Sequence, residues 1–340
     1  MVLRIGTDEN GLGSRLGPMI VTAVSANATT SGERLMTRKL PARLRRDLDD
    51  SKRLVSHHNI ALGEAWSRAL VGPHAKNPSA LFDALSFEGI KELTTRCPRH
   101  IKKQCWGVRA TTFQADDELM ERIVGHVDYL NNRGVQLRRA TSSVLCAKRL
   151  NDERADGENR FTSDLHAMER MIISVREDSD EDVLAICGKV GGIGDYSKFF
   201  GPLSGRLHSV LKQERAESIY HFPGLGELRF LRDADAADPL VMLASLIGKY
   251  VRELLMSQIT GFYQARIPSA PNASGYHDPV TAKFVQLTKK QRTELRISDE
   301  CFERFGPKNP SQKVTKAPRR ARSAATRQSG TLPGLESHHK

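Results

Sequence analysis

The sequence has no long apolar run, and this argues against one class of protein. No uninterrupted apolar stretch approaches the roughly 20 residues that a membrane-spanning helix needs. The first nine residues, Met-Val-Leu-Arg-Ile-Gly-Thr-Asp-Glu, carry charge where a signal peptide would need apolar residues. We therefore expect a soluble cytoplasmic protein that has no membrane partner.

Cysteine is also scarce. The chain has five cysteines, an odd number without the spacing of a disulfide framework, and we expect free thiols in a reducing compartment. Cys97, His100 and Cys105 nevertheless have the ligand types of a zinc site, which Cys146 or His57 would have to complete. The alternative is that these side chains bind no metal.

Charge of one sign predominates. The net charge is +12 and the isoelectric point is about 9.6, which favours a polyanionic partner such as nucleic acid. Residues 306–340 hold eight Lys or Arg and one Glu, so about +5 remains for the rest. This stretch is also rich in Pro and Ser, so we expect a disordered basic tail. Arg319, Arg320 and Arg322 in it would add nonspecific affinity for phosphate.

The order of apolar patterns predicts an α/β fold. Residues 2–5 and 19–25 are apolar and partly β-branched with glycines between them, which predicts a hairpin. Helical spacing of apolar residues follows at 54–69, 164–175 and 239–256, and a short buried strand is predicted at 183–186. We therefore expect a central mixed β-sheet flanked by helices.

Composition also suggests where domains begin and end, although length alone does not decide between one domain and two. Residues 1–71 and 130–305 carry the strand and helix patterns and would form the main domain. Residues 72–129 are polar and read as an insertion or subdomain, and 306–340 form the tail.

Two adjacent carboxylates, Asp8 and Glu9, follow the first strand beside Gly11. Neighbouring strand residues point to opposite faces, so a site that uses both needs a turn or a distortion at this position. On chemistry alone, a solvated surface pair is the commoner interpretation.

The residues around this pair change that interpretation. Segment 5–18 reads Ile-Gly-Thr-Asp-Glu-Asn-Gly-Leu-Gly-Ser-Arg-Leu-Gly-Pro. It resembles the opening signature of ribonuclease HII, the type 2 ribonuclease H, where Gly-x-Asp-Glu is followed by Gly-Arg-Gly and Gly-Pro. Here Gly11-Leu12-Gly13 replaces Gly-Arg-Gly, and Arg15 is the nearest candidate for the missing cation. In that family the glycine backbone approaches the sugar 2′-hydroxyl, which distinguishes RNA from DNA.

Other segments continue the resemblance. Asp50-Ser51-Lys52 is similar to the family's Asp-Ser-Lys, whose Ser and Lys lie near the nucleic-acid backbone. Asp235-Ala236 followed by 244–253 resembles its Asp-Ala and Ala-Ser-Ile-Ile-Ala-Lys-Val-x-Arg-Asp, with Glu253 in place of the last Asp. Tyr276 is similar to the tyrosine that stacks on the nucleic acid.

The resemblance is weakest at the family's third acidic residue. Segments 165–168 and 182–188 are similar to the helix and strand that lead to it, but Cys187 stands at that position. A thiol is a soft, poor partner for Mg²⁺. Asp195 would complete the site if the glycine-rich loop before it folds back, and Lys189 would then hold a phosphate.

The resemblance implies a ribonuclease H-like fold and a site for Mg²⁺ or Mn²⁺, which are hard ions that prefer oxygen ligands. The implied metal ligands are Asp8, Glu9, Glu253 and Cys187. The catalytic residues would be Asp8, Glu9, Glu253 and Asp195. The implied nucleic-acid contacts are Gly11, Gly13, Arg15, Ser51, Lys52, Lys189 and Tyr276.

Three functions follow from these features. The leading hypothesis is a metal-dependent endoribonuclease, expected to be monomeric, that cuts RNA in RNA:DNA hybrids or ribonucleotides embedded in duplex DNA. A rival is a catalytically impaired protein on the same fold that binds hybrids. A third is a DNA nuclease on that fold.

Overall fold

Seven strands form one mixed sheet in the described part of the chain. The computed structural model describes residues 1–55, 59–72, 74–95, 97–106, 112–190 and 192–306. The strand order is β3-β2-β1-β4-β7-β6-β5. The strands are β1 (Val2–Asn10), β2 (Met19–Ala28), β3 (Val135–Leu145), β4 (Val183–Gly188), β5 (Ser209–Gln213), β6 (Glu217–Phe222) and β7 (Gly226–Leu231).

Helices cover both faces of this sheet, so the predicted α/β architecture is confirmed. None of the described helices is long and apolar enough to cross a membrane. The helices are α1 (Thr30–Met36), α2 (Ala42–Arg45), α3 (Ser51–Leu54), α4 (Ala61–Val71), α5 (Pro78–Leu85), α6 (Gly89–Thr95), α7 (Arg99–Cys105), α8 (Asp117–Asn132), α9 (Ala147–Ala155), α10 (Arg160–Glu177), α11 (Ala234–Ala237), α12 (Pro239–Gln264) and α13 (Pro279–Glu294), with 3₁₀ helices at Ser197–Phe199 and Asp299–Cys301.

The first two strands form the predicted hairpin. They pair antiparallel, with Asp8 opposite Thr22, while β1 pairs parallel with β4 and β4 pairs parallel with β7. The carboxyl ends of β1, β4 and β7 therefore lie at one edge of the sheet, as is usual for ligand sites in parallel sheets. This edge carries Asp8 and Glu9.

One glycine sets the distance between β1 and the long helix α12. A Cβ at Gly6 would lie 2.4 Å from the carbonyl carbon of Leu240 and from the amide nitrogen of Val241. No other residue type fits without moving the helix, because such contacts lie inside van der Waals distance. The backbone of β1 therefore packs directly on the first turn of α12.

Helix α12 begins at a well-defined cap. Asp238 accepts hydrogen bonds from the amides of Leu240 and Val241, and Pro239 occupies the first helical position. The same carboxylate accepts a hydrogen bond from Arg4 Nη2 of β1, at 2.7 Å. This buried ion pair is a second tie between the strand and the start of the helix.

Residues of the stretch 72–129 bury apolar side chains in the main core. Leu81, Phe82, Trp106 and Ile123 belong to one buried cluster that also includes residues of α4 and α12. The domain boundaries stay a prediction. His57 and residues 307–340, which hold the predicted tail, lie outside the described residues.

A buried carboxylate ties α8 to the loop after α2. Asp47 accepts hydrogen bonds from Arg122 Nε and His126 Nε2, both at 2.9 Å. Its backbone carbonyl accepts another from Trp66 Nε1. Burial alone would raise the pKa of Asp47, but the hydrogen bonds from Arg122 and His126 outweigh burial and lower it.

We expect Asp47→Ala to lower the free energy of unfolding by about 2–3 kcal/mol, because it leaves Arg122 and His126 without their acceptor. Denaturant unfolding at neutral pH measures this change. The pKa of Asp47 is lowered in the fold, so its contribution is present above the ordinary pKa and is lost as pH falls through the lowered one. The difference between wild type and variant should therefore shrink in acid.

Arg53→Ala is the control for this variant. It removes an exposed ion pair with Asp49, at 3.2 Å, and should change stability by less than about 0.5 kcal/mol. Equal losses in the two variants would show that the Asp47 cluster contributes no more than a surface pair.

Candidate functional site

A polar depression of about 460 Å³ opens at the carboxyl ends of β1 and β4. Its walls come from six parts of the chain: the end of β1 with the loop that follows, α3, the end of β4, α11 with the residues before it, α12, and the loop between α12 and α13. It is lined by Asp8, Glu9, Asn10, Gly11, Leu12, Gly13, Ser51, Lys52, Gly188, Lys189, Val190, Arg232, Asp233, Ala234, Asp235, Ser245, Lys249 and Tyr276.

Asp8 and Glu9 both line this depression, although neighbouring strand residues point to opposite faces. Asp8 lies on the α12 side, where Ser245 of that helix hydrogen-bonds it. Ser245 Oγ in turn lies 2.8 Å from Ser51 Oγ of α3. Both carboxylates reach the depression because it opens over the end of the strand.

Asp235 of α11 is a third carboxylate in the depression. Its Oδ2 is 3.0 Å from Lys52 Nζ, and that lysine side chain is 76% exposed. The pair is therefore screened by solvent and easily rearranged. Asp235 was recognised in the sequence as part of an Asp-Ala motif but was not assigned as a ligand. The motif itself was the signal that could have identified it.

Burial and neighbouring negative charge raise the pKa values of Asp8 and Glu9. Burial raises the pKa of Asp8 well above its ordinary value, and the charges of Glu9 and Asp235 raise it further. Burial and the charge of Asp235 likewise raise the pKa of Glu9 to about 7. The depression therefore carries clustered negative charge that a cation would relieve.

A fourth carboxylate lies beneath the depression in the core. Asp164 of α10 is 1% exposed, and its Oδ1 has no hydrogen-bond partner among the described residues. Burial raises its pKa, and the charges of Glu9 and Asp8 raise it further. Asp164 does not line the depression. Because Asp164 lies near Asp8 and Glu9, its ionisation would add a further unfavourable negative charge to this part of the protein.

The residue of β4 that faces Asp8 is Gly188. A Cβ at Gly188 would lie 3.4 Å from Asp8 Oδ1. Cys187, one position earlier, points to the opposite face and is fully buried among apolar residues, where burial raises its pKa to about 12. The structure thus does not bring the Cys187 thiol to the carboxylates, and the position beside Asp8 has no side chain.

Glu253 and Asp195 also lie outside the depression. Glu253 Oε1 accepts a hydrogen bond from Arg252 Nη1 at 2.6 Å, and both residues are buried. Asp195 accepts hydrogen bonds from the amide and hydroxyl of Ser197, which lower its pKa, and it pairs with Lys198. Neither carboxylate is brought together with Asp8 and Glu9.

Residues 11–17, which we term the glycine loop, are held from beneath by arginines. Arg304 is buried, and it donates hydrogen bonds to the carbonyls of Gly11 at 2.6 Å and Gly17 at 2.8 Å. Arg160 donates to the carbonyls of Leu12 and Ser14. The loop between the carboxylate pair and β2 therefore has a defined conformation.

Arg252 completes this support. Its Nη2 donates to Ser14 Oγ and to the carbonyl of Ser274, both at 2.9 Å. A Cβ at Gly11 would lie 2.5 Å from Arg252 Nε, and Gly11 has a φ of +88°. Both the contact and the left-handed backbone require glycine here. The structure thus assigns Gly11 a packing role as well as a place in the depression.

The predicted nucleic-acid contacts divide into two groups. Gly11, Gly13, Ser51, Lys52, Lys189 and Tyr276 line the depression. Arg15 does not, because its Nε is paired with Glu303 Oε1 at 2.8 Å. Arg15 therefore ties the glycine loop, of which it is part, to Glu303 near the end of the described chain. It does not supply a cation to the depression.

Two further cations line the depression and were missed in the sequence. Lys249 of α12 donates hydrogen bonds to the carbonyls of Ser51 and Val55. Arg232 follows β7 and lies 3.6 Å from Asp233. Lys249 stands inside the matched segment 244–253, so the motif could have identified it, whereas no local pattern marks Arg232.

Tyr276 forms part of the rim. Its ring is 43% exposed, and the Arg252 guanidinium carbon lies 4.5 Å from the ring centroid. One face of the ring therefore contacts the Arg252 guanidinium, and part of the residue is open to solvent. An exposed aromatic at the rim of a depression that also holds lysines is suited to stacking on a base or sugar.

The structure does not support a zinc site built around Cys97, His100 and Cys105. His100 is exposed, and its Nε2 lies 3.1 Å from the carbonyl oxygen of Arg296. Across the described ranges, no three His, Cys, Asp or Glu side chains are placed to hold a metal ion.

No family model and no curated protein match the chain. Solved structures do match. The PCNA:RNase HII complex from Archaeoglobus fulgidus matches at 15% identity over 92% of this chain and 98% of that one, with a TM-score of 0.37. Ribonuclease H2 from Pyrococcus horikoshii matches at 11% identity over 88% and 92%, with a TM-score of 0.38.

A third match is Bst-RNase HIII in complex with Mn²⁺, at 16% identity over 85% of this chain and 71% of that one, with a TM-score of 0.36. At these identities and TM-scores, the likeness gives no residue of this chain a role. The names of these three structures are those of type 2 and type 3 ribonucleases H. The motifs of this chain resemble those of the type 2 enzymes.

Proposed function

We propose that this chain is a divalent-metal-dependent endonuclease of the ribonuclease H type. Its substrate would be RNA paired with DNA, or ribonucleotides embedded in duplex DNA. The observation that carries the proposal is the depression, where Asp8, Glu9 and Asp235 lie together with the glycine loop and Lys52. These residues belong to three of the segments that resemble ribonuclease HII.

The donor set fits a hard divalent cation. Mg²⁺ is usually bound through one or two carboxylates together with waters and substrate phosphates, so it does not require three converged protein ligands. Asp8, Glu9 and Asp235 would hold it, since all three offer oxygen donors in one depression. Bound there, a divalent ion would supply an activated water and would stabilise the leaving oxygen.

The chain's own residues would bind and orient the nucleic acid. Lys52 of α3 and Lys249 of α12 both line the depression. Their positive charges would attract phosphate. Gly13 is exposed, and no atom lies within 4 Å of the position its Cβ would take. A sugar could therefore approach the Gly13 backbone closely, and this is the contact through which a 2′-hydroxyl would be recognised.

A second function has one observation in its favour. The β4 position that faces Asp8 is Gly188, so no fourth carboxylate is supplied from this strand. A site with fewer acidic ligands would bind metal weakly while the nucleic-acid contacts remained. The alternative is therefore a catalytically impaired protein that binds hybrids. The monomeric state and the cytoplasmic location also stay predictions.

Cleavage assays would test the proposal. We expect wild type to cut an RNA:DNA hybrid or a duplex with a single ribonucleotide when Mg²⁺ or Mn²⁺ is added. Asp8→Asn and Asp235→Asn should each lower the rate at least about 100-fold, because even residues that only orient metal ligands are worth 10–100-fold. Asp195→Asn is the control and should keep the wild-type rate, because Asp195 lies outside the depression.

The outcomes separate the functions. Hybrid binding without metal-dependent cleavage of any substrate would support the impaired binding protein and contradict a nuclease. Cleavage of an all-DNA duplex alone would contradict the ribonuclease. Equal loss in Asp195→Asn and Asp235→Asn would contradict the placement of the site.

The raised pKa of Glu9 predicts a pH-dependent effect on stability. Ionisation of Glu9 in the fold is opposed until pH reaches about 7, whereas the ordinary pKa is 4.5. The contribution of Glu9 to the free energy of unfolding therefore falls as pH rises from 4.5 to about 7, and it stays constant above about pH 7. Without divalent metal, Glu9→Gln should raise stability at about pH 8 by about 1 kcal/mol, or about 3 °C in Tm.

Thermal unfolding at two pH values with and without Mg²⁺ measures this effect. At about pH 5 the two proteins should differ much less, because Glu9 is then mostly protonated in the fold. Mg²⁺ should stabilise wild type more than the variant at the higher pH. If Glu9→Gln were less stable than wild type at about pH 8 without metal, the ionised Glu9 carboxylate would not destabilise the fold and the prediction would be wrong.

A further inference from the structure

A second depression, of about 550 Å³, adjoins the one that holds Asp8 and Glu9. Lys189 and Arg232 line both, so the two depressions meet at these side chains. We term them the first and the second depression. The second depression is lined by Lys189, Gly192, Ile193, Gly194, Gln213, Glu214, Arg215 and Arg232.

The second depression lies at the same edge of the sheet as the carboxylates. Lys189 follows β4, Arg232 follows β7 and Gln213 ends β5. The strand order β2-β1-β4-β7-β6-β5 places these strand ends on one side of β1, whereas the glycine loop joins β1 to β2 on the other side. A polymer that contacts the glycine loop and passes over the carboxylates would therefore continue into the second depression.

The charge of the second depression suits an anion. Among the described residues, three cationic side chains and one carboxylate, that of Glu214, line it. Glu214 Oε2 lies 3.2 Å from Lys212 Nζ, so its charge is offset by a lysine outside the lining. The first depression gathers carboxylates that suit a metal ion, whereas the second has an excess of positive charge that suits phosphate.

The two shared cations keep the capacity to bind a ligand. Lys189 Nζ donates to the carbonyl of Glu214 at 2.7 Å and to Ser218 Oγ at 2.9 Å. An ammonium group has three N–H groups, so one of them has no partner among the described residues. Arg232 Nε lies 3.6 Å from the exposed Asp233 carboxylate, in a weak surface pair that a phosphate could replace.

The backbone of the second depression is open at two glycines. Gly192 and Gly194 are exposed, and no atom lies within 4 Å of the position that a Cβ would take at either residue. A sugar-phosphate chain could therefore approach this backbone closely. Asp195 comes next, but its carboxylate accepts hydrogen bonds from Ser197 and pairs with Lys198, which offsets its negative charge.

We propose that the second depression binds the phosphodiester backbone of the nucleic acid that occupies the first depression, outside the bond that is cleaved. The inference rests on the proposed function, because that function supplies the nucleic acid in the first depression. Lys189 and Arg232 would contact the phosphates nearest the boundary between the depressions. Arg215, exposed in the turn between β5 and β6, would contact a phosphate farther along.

Contacts with phosphate carry no base information. Binding would therefore depend on how far the nucleic acid extends on this side of the cleaved bond, and not on its sequence.

Arg215→Ala tests this contact without altering the first depression. Affinity for an RNA:DNA hybrid is measured over a series of salt concentrations without divalent metal, so that no strand is cut. We expect binding about threefold to tenfold weaker at about 0.1 M salt, and a slope of log K against log salt that is smaller by about one. Arg215→Lys keeps the charge and should retain the wild-type slope.

Arg34→Ala is the matched control, because it also removes one exposed arginine. Its neighbour Glu33 pairs with Arg4 near the start of β1, so Arg34 lies at the opposite end of that strand from Asp8. Affinity and slope should equal those of wild type. Equal values in Arg215→Ala and Arg34→Ala would overturn the proposal.

A phosphate scan identifies the contact directly. In a DNA duplex with a single ribonucleotide, which fixes the register, one phosphate at a time is replaced by a neutral methylphosphonate. At a position on one side of the ribonucleotide, the replacement should weaken binding to wild type about threefold to tenfold but leave binding to Arg215→Ala almost unchanged, because both changes remove the same interaction. Equal losses in the two proteins at every position would show that Arg215 contacts no phosphate.

These measurements separate failure of the inference from failure of the proposed function. A wild type that binds the hybrid but cuts no substrate, together with weaker binding by Arg215→Ala, would contradict the nuclease and support the second depression. A wild type that cuts the hybrid while Arg215→Ala keeps its affinity and slope would support the nuclease and overturn the second depression. No binding by wild type would overturn both.

Discussion

The glycine loop depends on two buried guanidinium groups, those of Arg252 and Arg304. Removing an arginine from water is costly unless its N–H groups find acceptors. Here the acceptors are the carbonyls of Gly11, Gly17 and Ser274, together with the Glu253 carboxylate. The loop carbonyls and the buried guanidinium groups thus supply hydrogen-bond partners to one another, although Arg252 Nε and Arg304 Nη2 have no partner among the described residues.

Local sequence patterns predicted the elements that do not depend on this arginine network. The hairpin of β1 and β2 and the long α12 depend on apolar periodicity and glycine position, which are local properties. The Asp8 and Glu9 pair was found because its spacing to the glycines resembled a known signature. Both kinds of signal are contained within about 20 residues.

The rest of the site depends on tertiary contacts that a pattern does not contain. Cys187 and Gly188 differ by one position on β4, and only the strand's register decides which of them faces Asp8. Glu253 has the chemistry of a ligand, but its neighbour Arg252 is buried and uses its carboxylate.

Gly188 is a glycine that the backbone does not require. Among the described residues, Asp8 Oδ1 is the one atom within 4 Å of the position its Cβ would take, and its φ lies outside the left-handed region. A Cβ at this position would make an ordinary van der Waals contact with Asp8 Oδ1, whereas a carboxylate there would add negative charge beside Asp8. The absence of a carboxylate from this end of β4 is therefore a property of the side chain chosen there, because the backbone itself leaves room for a Cβ.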